Sequence, residues 1–482
     1  MEHILHILPK NRRSRVPEGT VLMDALRTAG AAVDAPCGGS GRCGKCTVLA
    51  DGQSVLACQT VIDRDMTVWL PPRSAMETLT EGAGASGTPA GEPGTLLAFD
   101  IGTTTLVGYL LDGTTGATLA SAAMTNPQTA YGGDVVSRLR AARNGAADDL
   151  RRAVVQGMES LTEELFHRSG RAAGDVKRAA VVGNPAMQQL FMGLDTENLR
   201  KIPFAPVLTR AERVPAAAYL PFLPAAELLV VPDLAGYVGA DTLGCVLACG
   251  LENAGETTLL LDIGTNGEMV LCDGGRMAAC AAAAGPALEG AEISCGMRSA
   301  PGAIDRVWNE NGALRCHVIG GGEAVGICGS GLVDAAAAAL EAGLLDGRGR
   351  LTGGVLPLSD GVTLSQEDIR RFQLAKGAIA AGIGILQRYL GAEKIERVLL
   401  AGAFGSFLNP DSAVTVGLLP PEVRGRISAV GNAAGSGARM LACQPELLQE
   451  TERLCRKIEF VELSAAPDFP RAFARQMRFP AP

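Results

Sequence analysis

Aromatic residues make up only 4% of this 482-residue sequence, and there are four histidines, His3, His6, His167 and His317. So few histidines argue against imidazole-based catalysis and against a His-built metal centre. With few aromatics, the cores must be filled by Ala, Leu and Val, and a hydrophobic content of 47% makes those cores large. Net charge is −8 and no basic run stands out, so nucleic acid is not an expected partner. No apolar stretch reaches the roughly 20 residues of a membrane span. The opening residues, MEHILHILPKNRRSRV, lack the pattern of a secretory signal. Thirteen cysteines without such a signal imply a reducing, cytoplasmic setting and free thiols rather than disulfides.

Four of those cysteines are close together. Cys37, Cys43, Cys46 and Cys58 read C-x5-C-x2-C-x11-C inside APCGGSGRCGKCTVLADGQSVLACQ. A tight thiolate triplet plus one remote cysteine is how one loop wraps an iron–sulfur cluster. The plant-type [2Fe–2S] spacing is C-x4-C-x2-C, so this loop carries one extra residue. Gly38, Gly39 and Gly41 let the backbone turn tightly and aim N–H groups at sulfide. Zinc would prefer two C-x2-C knuckles or paired histidines. Gly39, Gly41 and Gly44 also spell a dinucleotide fingerprint, but they interleave with the cysteines and open no apolar helix.

Residues 1–72 predict a small β-rich domain: HILHIL as a strand, VLMDALRTAG as a helix ended by Gly30, then strands around TVLA, VLACQTVI and TVWLPP. That order suits the β-grasp fold of plant-type ferredoxins. Residues 73–94 are small, polar and Gly/Pro-containing, which predicts a flexible linker. Its 22 residues would span roughly 25 Å root-mean-square, enough for the cluster domain to swing between partners.

From residue 95 strands and Ala-rich helical segments alternate, predicting an α/β domain over 95–482. LLAFDIGTTTLVGYLLD begins at 96, and LLLDIGTNGEMVLCD repeats its pattern 162 residues later. Each places an aspartate, Asp100 or Asp262, at the end of a buried strand. Gly102 or Gly264 then lets the backbone turn, presenting Thr103, Thr104 and Thr105, or Thr265, Asn266 and Gly267. Hydroxyls and N–H groups so arranged suit phosphate oxygens. The two aspartates suit a hydrated Mg²⁺, which prefers one or two carboxylates plus waters. One such turn is common; two in matching contexts predict two similar halves facing one nucleotide cleft.

The paired DIGT turns and AGAFGSF (401–407) resemble the phosphate-1 (96–105), phosphate-2 (259–268) and adenosine (398–407) motifs of the acetate/sugar kinase, heat-shock chaperone and actin superfamily. The resemblance implies two RNase-H-like halves with ATP between them, Gly402, Ala403 and Gly405 under adenosine, and Gly329, Ser330 and Gly331 in a further cleft loop. Together with the cysteine-rich N-terminus, NPQTAYGGDVVSR (126–138), GPALEGAEISCGMRSAPGAI (285–304), GICGSGLVD and QLAKGAI are similar to reductive activators of corrinoid proteins. Members of that family use ATP to return accidentally oxidised Co(II) corrinoid to Co(I) for methyl transfer. GNPAMQQL (183–190) departs from a GNT-type segment common in the family, and the stretch between cluster domain and ATPase is too short for the intermediate domain of some relatives.

The resemblance implies a corrinoid protein as partner, an unidentified low-potential electron donor, a homodimer, and Asp262, then Asp100, as the residues positioning Mg²⁺ and the attacking water. Glu268, Asp241 and Glu289 are secondary candidates that structural roles would equally explain, and Lys376 is a candidate to neutralise phosphate. Plant-type clusters lie near about −400 mV. An acceptor on the order of 100–200 mV lower would cost about 2–5 kcal/mol per electron, which ATP can offset only through a conformational change. The competing readings are an activator of 2-hydroxyacyl-CoA dehydratases, which bridges a [4Fe–4S] cluster across a dimer, a small-molecule kinase with a redox-sensing domain, and a scaffold switched by nucleotide.

Overall fold

The computed structural model describes residues 2–8, 11–31, 33, 39, 41, 46–70, 82, 91–171 and 176–480. The N-terminal unit contains β1 (Glu2–Leu8), β2 (Arg12–Pro17), α1 (Leu22–Thr28), β3 (Thr47–Ala50), β4 (Gln53–Leu56) and β5 (Met66–Trp69). Its sheet runs β2-β1-β5-β3-β4, with β1 and β5 parallel. Period-2 alternation buries Leu5 and Ile7 while Ile4 faces outward. Leu22 and Leu26, one helical turn apart, bring α1 onto that face. Strand β2 was not foreseen. The strand expected over VLACQTVI is shorter: only Val55 and Leu56 belong to β4. Beyond them the chain turns, and Ala57 O and Thr60 O accept the N–H groups of Met23 and Leu22 at the start of α1.

Most of the expected linker lies outside the described residues. Its described members are fastened rather than free. Gly82 bridges to Gly431, Glu92 pairs with Arg178 at 2.8 Å, and Gly94 O accepts from Gly113 N.

Next come β6 (Thr95–Ile101), β7 (Thr105–Asp112), β8 (Thr118–Thr125), α2 (Val135–Ala141), α3 (Ala147–Ser169), β9 (Val176–Gly183), α4 (Pro185–Met192), β10 (Glu212–Pro215), β11 (Glu227–Val230) and α5 (Ala240–Ala248). The second half opens with β12 (Thr258–Ile263), β13 (Gly267–Asp273) and β14 (Arg276–Ala282), followed by a small sheet of β15 (Ala303–Glu310), β16 (Ala313–Val318) and β17 (Gly326–Ile327). It continues through α6 (Gly329–Glu341), the hairpin β18 (Val355–Ser359) and β19 (Val362–Ser365), α7 (Gln366–Leu390), β20 (Arg397–Ala401), α8 (Gly402–Phe407), α9 (Pro410–Thr415), β21 (Ile427–Gly431), α10 (Ala433–Cys443), α11 (Leu447–Lys457), β22 (Ile458–Phe460) and α12 (Phe469–Gln476).

The duplication read from the sequence is a duplication of topology. Each half has a three-stranded antiparallel meander, β6-β7-β8 or β12-β13-β14, with a parallel strand beside its first member, β9 or β20, and a further parallel strand beyond, β11 or β21. Strand alternation sorts the side chains into layers. In β6, Leu96 and Ala98 face a central core shared by the two halves, whereas Leu97, Phe99 and Ile101 face the outer helices α3 and α4. In β12, Leu260 joins the central core, while Leu259, Leu261 and Ile263 face the layer of α6 and α7. Helices α5 and α10 complete the central core. The polar ends of β6 and β12 thereby open side by side into one cleft.

The Ala-rich α6 is core: every residue from Gly329 to Leu340 is buried. It starts five residues before the expected DAAAAALEAGLL, so Gly329, Ser330 and Gly331 form its first turn rather than a loop. Among the described residues, no helix is long and apolar enough to cross a membrane.

Candidate active site

A cavity of about 310 Å³ lies between the halves, lined from both DIGT turns. The first turn is fastened from behind. Asn126 donates from its backbone N to Thr104 O and from Nδ2 to Gly102 O, each at 2.8 Å. Asn184, the N-cap of α4, donates to Thr103 Oγ1 at 3.0 Å, and Arg138 donates to Thr103 O. With these acceptors engaged, Gly102, Thr103, Thr104 and Thr105 line the cavity. The second turn is closed by Gly264 N donating to Asn266 O at 2.8 Å. Glu289 links the two turns, accepting from Thr265 Oγ1 at 3.0 Å and from Thr104 Oγ1 at 3.5 Å.

Five carboxylates line this cavity: Asp100, Asp241, Asp262, Glu268 and Glu289. Burial pushes Asp100 up to about 7; the hydrogen bond from Asn432 Nδ2 at 3.0 Å opposes that rise, and the charge of Asp262 adds to it. Burial followed by the charge of Asp241 takes Asp262 to about 7, and burial likewise raises Asp241 to about 7. Glu268 and Glu289 are also raised by burial. Buried like charges in one pocket are costly without a cation. This donor set therefore fits a hydrated Mg²⁺. Asp241, Glu268 and Glu289, secondary candidates from sequence, belong to the same cavity as Asp100 and Asp262.

Gly402, Ala403, Phe404, Phe407, Gly329 and Ser330 also line the cavity. Gly402 has φ +76°, and a Cβ there would stand 2.5 Å from Asp262 Oδ1. Glycine is required at this junction of β20 and α8 on both counts. At Gly329 a Cβ would lie 1.7 Å from Leu288 O, so α6 begins in contact with the chain just before Glu289.

Three expected nucleotide contacts do not line the cavity. Gly267 faces Ile379 of α7, Gly331 packs against Ile304 O, and Gly405 lies against Leu400. Each is glycine because a neighbouring element passes close by. Lys376 is also elsewhere. It is fully buried, its Nζ donates to Arg478 O at 2.6 Å, and it lies 5.1 Å from the Phe479 ring. It holds the C-terminal segment against α7, and burial pulls its ammonium down to about 7.

Sequence reasoning missed several cavity residues: Asn184, Asn432, Arg298, Ser299, Phe404 and Phe407. Asn184 and Asn432 carry a signal that could have found them, since each stands as an N-cap directly after a strand. Arg298 comes from the GMRSAPGAI stretch and brings a cation to the cavity that holds the five carboxylates.

In the N-terminal unit, Cys37 and Cys43 lie outside the described residues. Cys46 and Cys58 are buried, and neither is in a disulfide. Gly39, at φ +84°, would place a Cβ 3.8 Å from that of Cys58, so Gly39 lies beside the remote cysteine. Gln59 Nε2 ties the two together, donating to Gly39 O at 3.2 Å and reaching Cys58 Sγ at 3.7 Å. Cys58 lies in the turn after β4, and these residues fit a cluster with an amide donor to one sulfur.

The fold and the two sites define an ATPase of the actin and sugar-kinase type joined to a two-iron ferredoxin domain. Comparison with known proteins agrees in each region. The 2Fe-2S iron-sulfur cluster binding domain matches residues 5–66, the RACo middle region 96–254, and the C-terminal domain of RACo, the ASKHA domain, 256–482. The corrinoid activation enzyme RamQ of Eubacterium limosum is 33% identical over 417 residues, covering 80% of this chain and 70% of that protein. A [Co(II) methylated amine-specific corrinoid protein] reductase of Methanosarcina barkeri is 29% identical over 396 residues, covering 75% and 72%. Among solved structures, a reductive activator for corrinoid, iron–sulfur protein aligns over 100% of this chain and 99% of its own, with a TM-score of 0.71 and 28% identity. The chain belongs to the family of reductive activators of corrinoid proteins.

Proposed function

We propose that this protein is a redox ATPase that returns a protein-bound corrinoid from Co(II) to Co(I), restoring it for methyl transfer. The observation that carries this reading is a cleft suited to a magnesium nucleotide in one chain with a ferredoxin-type cluster domain. The names of the relatives, corrinoid activation enzyme and Co(II) corrinoid protein reductase, supply the acceptor class.

In this reading Thr103, Thr104, Thr105, Thr265 and Asn266 donate to phosphate oxygens, and Arg298 offsets their charge. Asp262 and Asp100 would hold a hydrated Mg²⁺ and orient the attacking water, with Asp241 in the same cavity. Phe404 and Phe407 pack on the nucleoside where Gly402 and Ala403 leave room. Cys37, Cys43, Cys46 and Cys58 would hold a [2Fe–2S] centre, which would supply one-electron chemistry with electrons from an external low-potential donor. Hydrolysis to ADP and phosphate changes how the halves close, and so offsets an unfavourable electron transfer.

The test is direct. The protein is mixed with an oxidised corrinoid protein, a reductant and Mg-ATP, and the Co(I) absorbance is followed. Its appearance with ATP, and its absence without, supports the reading. A phosphorylated small molecule instead would favour the kinase reading.

A further inference from the structure

One buried cation beside the cleft is not used by the chemistry above. Arg138, on α2, is 0% exposed. Its Nε donates to Gly132 O at 2.9 Å, its Nη1 faces Gln128 Oε1 at 3.3 Å and Met187 Sδ at 3.0 Å, and its Nη2 donates to Thr103 O. All four hydrogen-bond partners are neutral; the nearby carboxylates of Asp134 and Glu289 support its charge from farther off, against the cost of burial. What this arrangement does is fix the first phosphate turn to the segment 126–138. That segment is itself held at both ends. Asn126 bonds to the turn, Gln128 Nε2 donates to Leu150 O at 3.0 Å, and Asp134 caps α2 through Ser137 N at 2.8 Å.

The same segment touches the cluster domain. Arg27 of α1 donates to Ala130 O, and its guanidinium carbon sits 4.3 Å from the centroid of the Tyr131 ring. Asp24 steadies Arg27 at 3.0 Å. Helix α1 leads in turn to the cluster: a Cβ on Gly39 would stand 2.9 Å from Met23 Cε, and Met23 N donates to Ala57 O, next to Cys58. An unbroken set of contacts thus runs from the cluster loop through Met23 and Arg27 to Ala130 and Tyr131, then through Gly132 and Arg138 to Thr103.

We propose that Arg138 is a positioning residue of the first phosphate turn, and that the Arg27–Tyr131 contact is the surface through which nucleotide occupancy sets the docking of the cluster domain. The proposal rests on the nucleotide reading of the cleft. A shift of the turn on phosphate binding moves Thr103 O, Arg138 follows it, and the 130–132 backbone that receives Arg27 moves with Arg138. By linkage, docking of the cluster domain must change nucleotide affinity by the same factor that nucleotide changes docking. Contiguity alone does not establish coupling, so the test measures it.

The full-length protein with its cluster is titrated with ADP and with a non-hydrolysable ATP analogue, and hydrogen exchange of α1 is followed in each state. In the wild type, α1 exchange differs between the two nucleotides. Arg27→Ala and Tyr131→Ala each remove that difference and shift the affinity ratio of the two nucleotides by about fivefold or more. Their double variant does no more than either alone, Tyr131→Phe behaves as wild type, and the cluster spectrum is unchanged throughout. Arg138→Lys keeps the charge but loses the fork, and weakens binding of both nucleotides as well. Should that variant fail to fold, the partly exposed Arg27–Tyr131 contact still decides. Nucleotide-dependent exchange in Arg27→Ala equal to wild type, with an unchanged affinity ratio, overturns the coupling. A wild type that binds neither nucleotide fails the reading of the cleft itself, a separate and visible outcome.

Discussion

Thr103 in the first DIGT turn is bonded from behind by Asn184 and Arg138, while Asn126 fastens Gly102 and Thr104. Thr265 in the second is bonded by Glu289, and that turn faces Glu268, Asp262 and the Gly402 junction. Two near-identical sequences on equivalent strands therefore have different surroundings. The first turn is wired to the half that touches the cluster domain. The second stands among acids, with Thr265 bonded to Glu289 and Gly267 packed against Ile379 of α7. Under the proposed function this difference amounts to a division of labour, with nucleotide held and sensed at the first turn and chemistry concentrated at the second. Substitutions at the second turn should then act on turnover, and those at the first on binding.

The largest expected effect is at Asp262. Asp262→Asn should lower ATP turnover on the order of 10³-fold, since it removes preorganised charge at the reacting centre. The cluster spectrum should not change, because the cysteines belong to a separate core. Steady-state phosphate release with visible absorption measures both, and wild-type turnover would take Asp262 out of the mechanism.

Glu289 touches both turns and so sharpens the comparison. Glu289→Gln keeps an acceptor for the threonine hydroxyls but loses the charge beside the phosphates. Turnover should fall about tenfold while the ATP analogue binds as well as before or more tightly. Weaker binding with unchanged kcat would make Glu289 a clamp of the first kind. Asn184→Ala removes a donor to Thr103 and the N-cap of α4. It should raise KM for ATP several-fold with little change in kcat, and cost about 1 kcal/mol of stability. A kcat effect as large as that at Asp262 would erase the distinction between the turns.

The smallest effect lies outside both turns. Burial lowers Lys376 from its usual 10.5 to about 7. Between those values the unfolded chain binds a proton that the native chain does not, so stability rises with pH across that window and is lost as pH falls toward 7. Melting temperatures at pH 7 and pH 9 should show the wild type gaining on Lys376→Met. Parallel shifts in the two proteins would show that Lys376 stays protonated in the fold.

Much of this molecule was legible because its signals are local. The cysteine spacing, the repeated aspartate turns and continuous apolar strands such as β6 each state their own geometry. Residues such as Asn184 and Glu289 were harder to place because their partners are far along the chain: 81 residues separate Asn184 from Thr103, and 185 separate Glu289 from Thr104. Glycines misled for a physical reason. Gly267, Gly331 and Gly405 make room for neighbouring protein, which in sequence looks the same as making room for a ligand. Lys376 misled because an ammonium on an apolar helix can find a backbone carbonyl, here from a C-terminal segment that carries no motif.

The central claim is that nucleotide turnover in the cleft drives an electron from the N-terminal domain to cobalt. The most direct measurement is the rate of Co(I) formation on an oxidised corrinoid protein, with excess reductant, for the wild type with and without Mg-ATP and for Cys58→Ser with Mg-ATP. The account predicts Co(I) only in the wild type with ATP, and retained nucleotide binding in Cys58→Ser, whose serine is a poor ligand for iron. Equal Co(I) formation by the wild type without nucleotide, or by Cys58→Ser with it, would contradict the account.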